Sequence, residues 1–356
     1  MRPILTMLDW FRPHFQEGGR FGLLKPLFDA ADALFFSPGE TTEVAPHIRD
    51  PLDVKRVMSL VIIALVPCIL ASVYFFGLRV LAMIAVSYAA GLLVEVTFAI
   101  VRKEGINEGF FVTGMLFPLI LPPGLPLWMV AVGCAFGVLI GKELFGGTGR
   151  NLFNPALIGR IFLALAYPRA MSGAWVEPGS GLLGRATQYS VDAVSTATPL
   201  VAAKAGEWTD LWRLSFGSVS GSAGETSAIA VILGGLLLLF IGVASWRTVV
   251  SMLGTFAVMT AFLHGGDGSI VLWHMLAGGL LFGAFFMATD PVSSPMSNGG
   301  KWAYGLIIGV ATALIRNLTG YVEGVMFAIL LGNIFAPVLD EVFVTAQLRK
   351  LRGYKT

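Results

Sequence analysis

The run Asp192-Ala193-Val194-Ser195-Thr196-Ala197-Thr198-Pro199-Leu200 sets three hydroxyl groups and a carboxylate among small residues. A threonine hydroxyl with little steric shielding, beside an acid and in a polar stretch, suits esterification by a phosphate-bearing cofactor. Thr198 is the candidate nucleophile, with Asp192, Ser195 and Ala197 around it; the alternative is a Ser/Thr-rich loop that carries nothing. A second segment, Gly141 to Asn151, combines four glycines with Lys142, Glu143 and Arg150. Glycines let a planar ligand approach the backbone, and basic residues can meet a phosphate or a quinone oxygen. The segment matches neither the GxxxxGK[ST] nucleotide loop nor the GxGxxG fingerprint, and its plain alternative is a tight turn between short helices. A third segment holds Gly217-Ser218, Gly221-Ser222 and Gly224-Glu225-Thr226-Ser227. It is either a cradle for the group on Thr198 or a flexible re-entry loop.

Ionisable residues inside apolar runs are costly and tend to mark function. Glu95, Glu143, Arg160, Asp290 and Asp340 lie in or beside such runs. The plain alternative has Glu95 and Asp340 reaching the membrane interface, and Arg160 pairing with a carboxylate or with helix-end carbonyls. Cys68 and Cys134 both fall in apolar surroundings without CxxC spacing and read as small core hydrophobes. His14, His47, His264 and His274 form no ligand cluster by spacing, so no metal centre is expected.

The elements that position these residues follow from composition. Of 356 residues, 56% are hydrophobic and 13% charged, about half the charge of a soluble domain. The net charge of +2 argues neither for nucleic acid nor for an acidic partner. Apolar runs that cross or nearly cross a bilayer fall at roughly 57–77, 80–101, 109–122, 126–141 and 153–167, then 227–244, 248–263, 270–287, 303–318 and 322–343. Prolines 118, 122, 123 and 155 predict broken or tilted helices in the first set. The chain is thus expected to be an all-α polytopic membrane protein of about ten transmembrane helices.

Trp128 and Phe153 recur as Trp302 and Phe327 at an offset of about 174 residues, and Phe110-Phe111 falls opposite Phe285-Phe286 within one residue. Five spans per half is an odd number, so the halves enter the membrane in opposite orientation, as two inverted five-helix repeats. Residues 1–53 form an N-terminal arm, 54–167 the first repeat, 168–226 an outward loop with Thr198, 227–343 the second repeat and 344–356 a basic tail. Placing both termini inside gathers Lys55, Arg56, Arg102, Lys103, Lys142, Arg150, Arg247, Lys301, Arg349, Lys350 and Arg352 on one side, and leaves Arg79 and Arg316 in short outer loops.

A family resemblance rests on residues in order along the chain. They are Asn107-Glu108-Gly109-Phe110-Phe111-Val112-Thr113-Gly114-Met115, the glycine-rich run to Asn151, Asn154-Pro155-Ala156 with Arg160, Met287-Ala288-Thr289-Asp290-Pro291-Val292 and Gly332-Asn333-Ile334-Phe335-Ala336-Pro337. Together they resemble the B subunit of the sodium-translocating NADH:quinone oxidoreductases, a relative of the D subunit of Rnf complexes. Pro13-His14-Phe15, Gly18-Gly19 and Ala45-Pro46-His47-Ile48-Arg49-Asp50 are similar to the arm of the quinone-reductase subunit.

The resemblance implies an FMN joined through its phosphate to Thr198, in a motif close to Asp-x-x-Ser-Gly-Ala-Thr matched by Asp192, Ser195, Ala197 and Thr198. Thr196 stands where glycine is usual and offers a second hydroxyl. It also implies a non-covalent riboflavin, ubiquinone reduced on the cytoplasmic side with Gly141 facing the quinone, and sodium movement involving Glu143 and Asp340. Further implied are the other subunits of a six-subunit complex in a bacterial inner membrane, both termini cytoplasmic, a periplasmic FMN loop, and a flavin transferase for maturation. The rivals are an Rnf D-type subunit without a quinone site, and a flavin-free channel or transporter of inverted-repeat type.

Overall fold

The computed structural model describes residues 54–103, 109–179, 197–319, 321 and 324–353. Among them there are helices and connecting segments but no β-strand. The first half contains α1 (Val54–Phe76), α2 (Arg79–Arg102), α3 (Gly109–Leu119), α4 (Leu127–Gly141) and α5 (Pro155–Ala166), with a 3-10 turn at Glu143–Phe145. Short helices α6 (Pro168–Gly173), α7 (Pro199–Lys204) and α8 (Leu211–Phe216) follow. The second half contains α9 (Ala228–Ile241), α10 (Trp246–Leu263), α11 (Gly268–Leu276), α12 (Leu280–Phe282, running on as a π turn over Gly283–Met287), α13 (Asn298–Leu318) and α14 (Val325–Gly353).

Among the described residues each apolar run of the sequence is helical over most of its length. Helices α1, α2, α10 and α14, and α4 with its 3-10 turn, are long and apolar enough to cross a membrane; α11 with α12 makes a sixth, bent by 68° at its break. Helices α3, α5 and α9 are apolar but shorter, and α13 carries Lys301 and Arg316. The prolines act as expected. Pro118 lies in the last turn of α3, after which the chain leaves the helix, and Pro155 opens α5 behind Asn154, whose side chain accepts from the Ala156 N–H at 3.0 Å.

The two halves make similar helix pairings. In the first half α2 packs on α4 and α4 on α5; in the second, α10 packs on α13 and α13 on α14. Helices α1 and α9, the opening helices of the two halves, pack on each other and join them. Lipid offers little hydrophobic drive between helices, so close approach needs small residues. A Cβ on Gly137 would lie 2.4 Å from the Pro155 carbonyl oxygen, and one on Gly309 2.6 Å from that of Met252.

Candidate functional site

Thr198 is the N-cap residue of α7, ahead of Pro199, yet its side chain makes no capping hydrogen bond. It is buried and lines a small cleft. The facing wall is Ser220, Gly221, Ser222, Glu225 and Thr226, with Leu276 and Gly278 from the break between α11 and α12. The third glycine-rich segment is therefore no surface loop: Ser222, Ala223, Gly224, Glu225 and Thr226 are buried. Its backbone is tied to the unwound end of α3, with the Ala223 N–H donating to the Leu121 carbonyl at 3.0 Å and that of Gly224 to Leu119 at 2.7 Å. Ser72 of α1 donates to the Ala223 carbonyl. These bonds satisfy non-helical backbone that lipid would leave unpaired.

An ionic cluster backs this cleft. Arg160 of α5 donates to the Ile120 carbonyl and lies 3.5 Å from Glu225 Oε1, so the expected pairing with a carboxylate and a helix-end carbonyl is what the fold builds. Burial pushes the Glu225 carboxyl above its ordinary value, and the Arg160 charge opposes that rise. Arg316 corrects an expectation. It is not in an outer loop but in the last turn of α13, 2% exposed, with Nη1 donating to the His274 carbonyl at 2.6 Å. The rings of His264 and His274 stack with centroids 5.3 Å apart. The two histidines flank the turn between α10 and α11, which folds them together.

A second cleft gathers three motif segments. Gly109, Val112 and Thr113 of α3, then Lys142, Thr148, Asn151, Asn154 and Pro155 around the glycine-rich turn, and Thr289 to Val292 after the π turn contribute, closed by Phe285 and Phe286. Within it Asp290 accepts from Ser293 at 2.8 Å, and burial pushes its carboxyl up. Gly146, Gly147 and Gly149 have φ of +107°, +93° and +89°, which explains glycine at those turn positions. Thr226, just ahead of α9, lines the first cleft, and Leu238 near the end of α9 lines the second. The clefts lie at opposite ends of that helix, roughly 18 Å apart at about 1.5 Å per residue.

Of the expected site residues, Thr198 is placed as above and Ala197, just ahead of it, is exposed; Asp192, Ser195 and Thr196 lie outside the described residues, as do His14, His47 and the N-terminal arm. Gly141 is buried against α5, where a Cβ would lie 2.9 Å from the Pro155 Cα; its neighbour Lys142 lines the second cleft. Glu143 is 4% exposed and accepts from Arg102 at 2.8 Å. Asp340 accepts from the Met296 and Ser297 N–H groups at 2.7 and 2.8 Å, tying α14 to the start of α13. Glu95 does not reach an interface: it is 4% exposed and both its oxygens accept from Lys142 Nζ, at 2.6 and 2.7 Å. Among the described residues no group of three or more His, Cys, Asp or Glu side chains could hold a metal ion.

Comparison with known proteins places this geometry. The NQR2, RnfD, RnfE family model matches residues 41–349. The B subunit of the Na(+)-translocating NADH-quinone reductase of Klebsiella pneumoniae (strain 342) is 40% identical, covering 98% of this chain and 99% of its own. The protein of the same name from Azotobacter vinelandii is 38% identical, covering 98% of each chain, and that from Pseudoalteromonas atlantica 37%, covering 96% and 97%.

Proposed function

The chain belongs to the NQR2, RnfD, RnfE family, and on that premise we propose that it is the B-type membrane subunit of a sodium-translocating NADH:quinone oxidoreductase with FMN esterified to Thr198. Relatives covering nearly the whole of both chains carry that subunit's name. The observation that supports the flavin is the placement of Thr198: a buried hydroxyl not used for capping, on the wall of a cleft shared with Glu225, which Arg160 pairs at 3.5 Å. A flavin supplies one- and two-electron transfer when bound. The chain's own part is to hold the phosphate end at Thr198, to shield the ring between Leu200, Leu214 and Leu276, and to present Ser220 and Thr226 as polar partners.

The second cleft suits the non-covalent riboflavin, an uncharged planar ring that Phe285 and Phe286 would flank and that Thr113, Asn151 and Asn154 would meet through polar groups. Electrons then pass from the Thr198 side to that cleft and on to ubiquinone at the inner face, near Gly141 and Lys142. Glu143 and Asp340 are proposed for the sodium path, and each also holds a structural bond. The setting is a bacterial inner membrane, with both termini cytoplasmic, the Thr198 loop periplasmic, five further subunits alongside and a flavin transferase acting during maturation. The test is a denaturing gel of natively expressed protein. A fluorescent flavin band is expected in the parent and absent from Thr198→Ala; a band that survives the substitution removes the assignment.

A further inference from the structure

A buried ion without a full set of partners is expensive, and Arg316 is such an ion. Its side chain is among the largest fully buried ones in the chain. One guanidinium nitrogen donates to the His274 carbonyl, and the group lies 5.3 Å above the Phe256 ring, but Nε and Nη2 meet no hydrogen-bond partner among the described residues. Arg160 and Arg316 together bring two positive charges to one buried carboxylate, Glu225. A low-dielectric site with such an excess favours a negative charge placed near it.

The cleft at Thr198 is where that charge can come. Gly278 lines it with φ +67° beneath Leu200: a Cβ there would lie 2.7 Å from Leu200 Cδ1 and 3.4 Å from Arg316 Nη2. At the next residue, Gly279, a Cβ would lie 2.6 Å from Glu225 Oε1. The glycine pair at the break between α11 and α12 thus removes the side chains that would separate the cleft from both charges. We infer that Arg316 and Glu225 are an opposed pair of positioning residues that set the affinity of the Thr198 cleft for the reduced, anionic isoalloxazine. The inference rests on Thr198 carrying a flavin. Two electrons from a reduced redox partner and one proton from water convert the oxidised ring to its singly charged reduced form. The new bond is N–H at N5, and the negative charge lies along the N1–C2=O edge. Arg316 favours that form and Glu225 disfavours it, so removing each moves the flavin potential in the opposite direction.

Spectroelectrochemical titration of the covalent flavin in the intact complex tests this, using Arg316→Gln, Arg316→Lys and Glu225→Gln. At a fixed potential near the parent midpoint, Arg316→Gln lowers the reduced-to-oxidised ratio on the order of tenfold and Glu225→Gln raises it by a similar factor, about 30 mV each for a two-electron couple. Arg316→Lys, which keeps the charge, stays nearer the parent than Arg316→Gln does. Loss of packing alone cannot produce shifts of opposite sign from neighbouring residues. If Arg316→Gln fails to assemble, Glu225→Gln decides alone, an unmoved or lowered ratio overturning the inference. Shifts of the same sign in both, or none, with the flavin still fluorescent at Thr198, also overturn it and leave the proposed function standing. Absence of flavin from the parent Thr198 overturns both.

Discussion

Replacing Lys142 by methionine is the most demanding test of the packing between α2 and the end of α4. Lys142 Nζ lies 2.6 and 2.7 Å from the two oxygens of Glu95, and the two side chains are 3% and 5% exposed. At an effective dielectric near 20, charges at about 2.7 Å attract by about 6 kcal/mol. Desolvation of two ions consumes several kcal/mol of that, so the pair as a whole contributes little. The single substitution is a different matter, because it withdraws the cation and leaves a buried carboxylate behind, at a cost of about 3–5 kcal/mol. Denaturant unfolding in mixed micelles should register that loss for Lys142→Met. It should register recovery of at least half when Glu95→Gln is added, since a neutral amide needs no counter-ion. A single variant within about 1 kcal/mol of the parent, or a double variant as unstable as the single, would refute the assignment of a buried ion pair.

Two further outcomes follow from named contacts. Asp340→Ala leaves the Met296 and Ser297 N–H groups without their acceptor and should cost about 1–2 kcal/mol. Asp340→Asn keeps one acceptor oxygen for one of the two N–H groups and sets its NH2 against the other, so it should recover no more than about half of this; unfolding as stable as the parent in Asp340→Asn would contradict the two-oxygen cap. Gly159→Ala would set a Cβ 2.5 Å from the Gly133 carbonyl oxygen and 2.8 Å from the Phe117 ring, costing about 1–3 kcal/mol of unfolding free energy. Gly173→Ala, with nothing within 4 Å, should stay within about 0.5 kcal/mol; equal effects at the two glycines would contradict the close α4–α5 contact.

The ten helical segments were legible because each is an apolar run bounded by charge, glycine or proline, and such runs are helical whatever they pack against. The correspondence of the halves is drawn in the sequence only in outline, through spacings such as Trp128 to Trp302; α2 packs on α4 as α10 packs on α13, a similarity of pairing that those spacings do not specify. What escaped was the interior course of residues 219–227. Serine and glycine there have the composition of a surface loop, and their burial depends on Leu119, Leu121 and Ser72, all more than 90 residues away. Arg316 escaped for a related reason. A charge at the end of an apolar run ordinarily reaches toward water, and only the fold shows that this one turns inward to His274. Glu95 hid likewise, because its partner Lys142 belongs to a different motif in the sequence.

Mass spectrometry of the chain from its native host, where the attaching enzyme is present, bears most directly on a cofactor at Thr198. Intact mass should show one FMN-sized adduct, and fragmentation should place it on Thr198 rather than Thr196. An unmodified Thr198, with the complex assembled and turning over, would contradict covalent flavin at this cleft and leave a helical membrane scaffold without its proposed electron carrier.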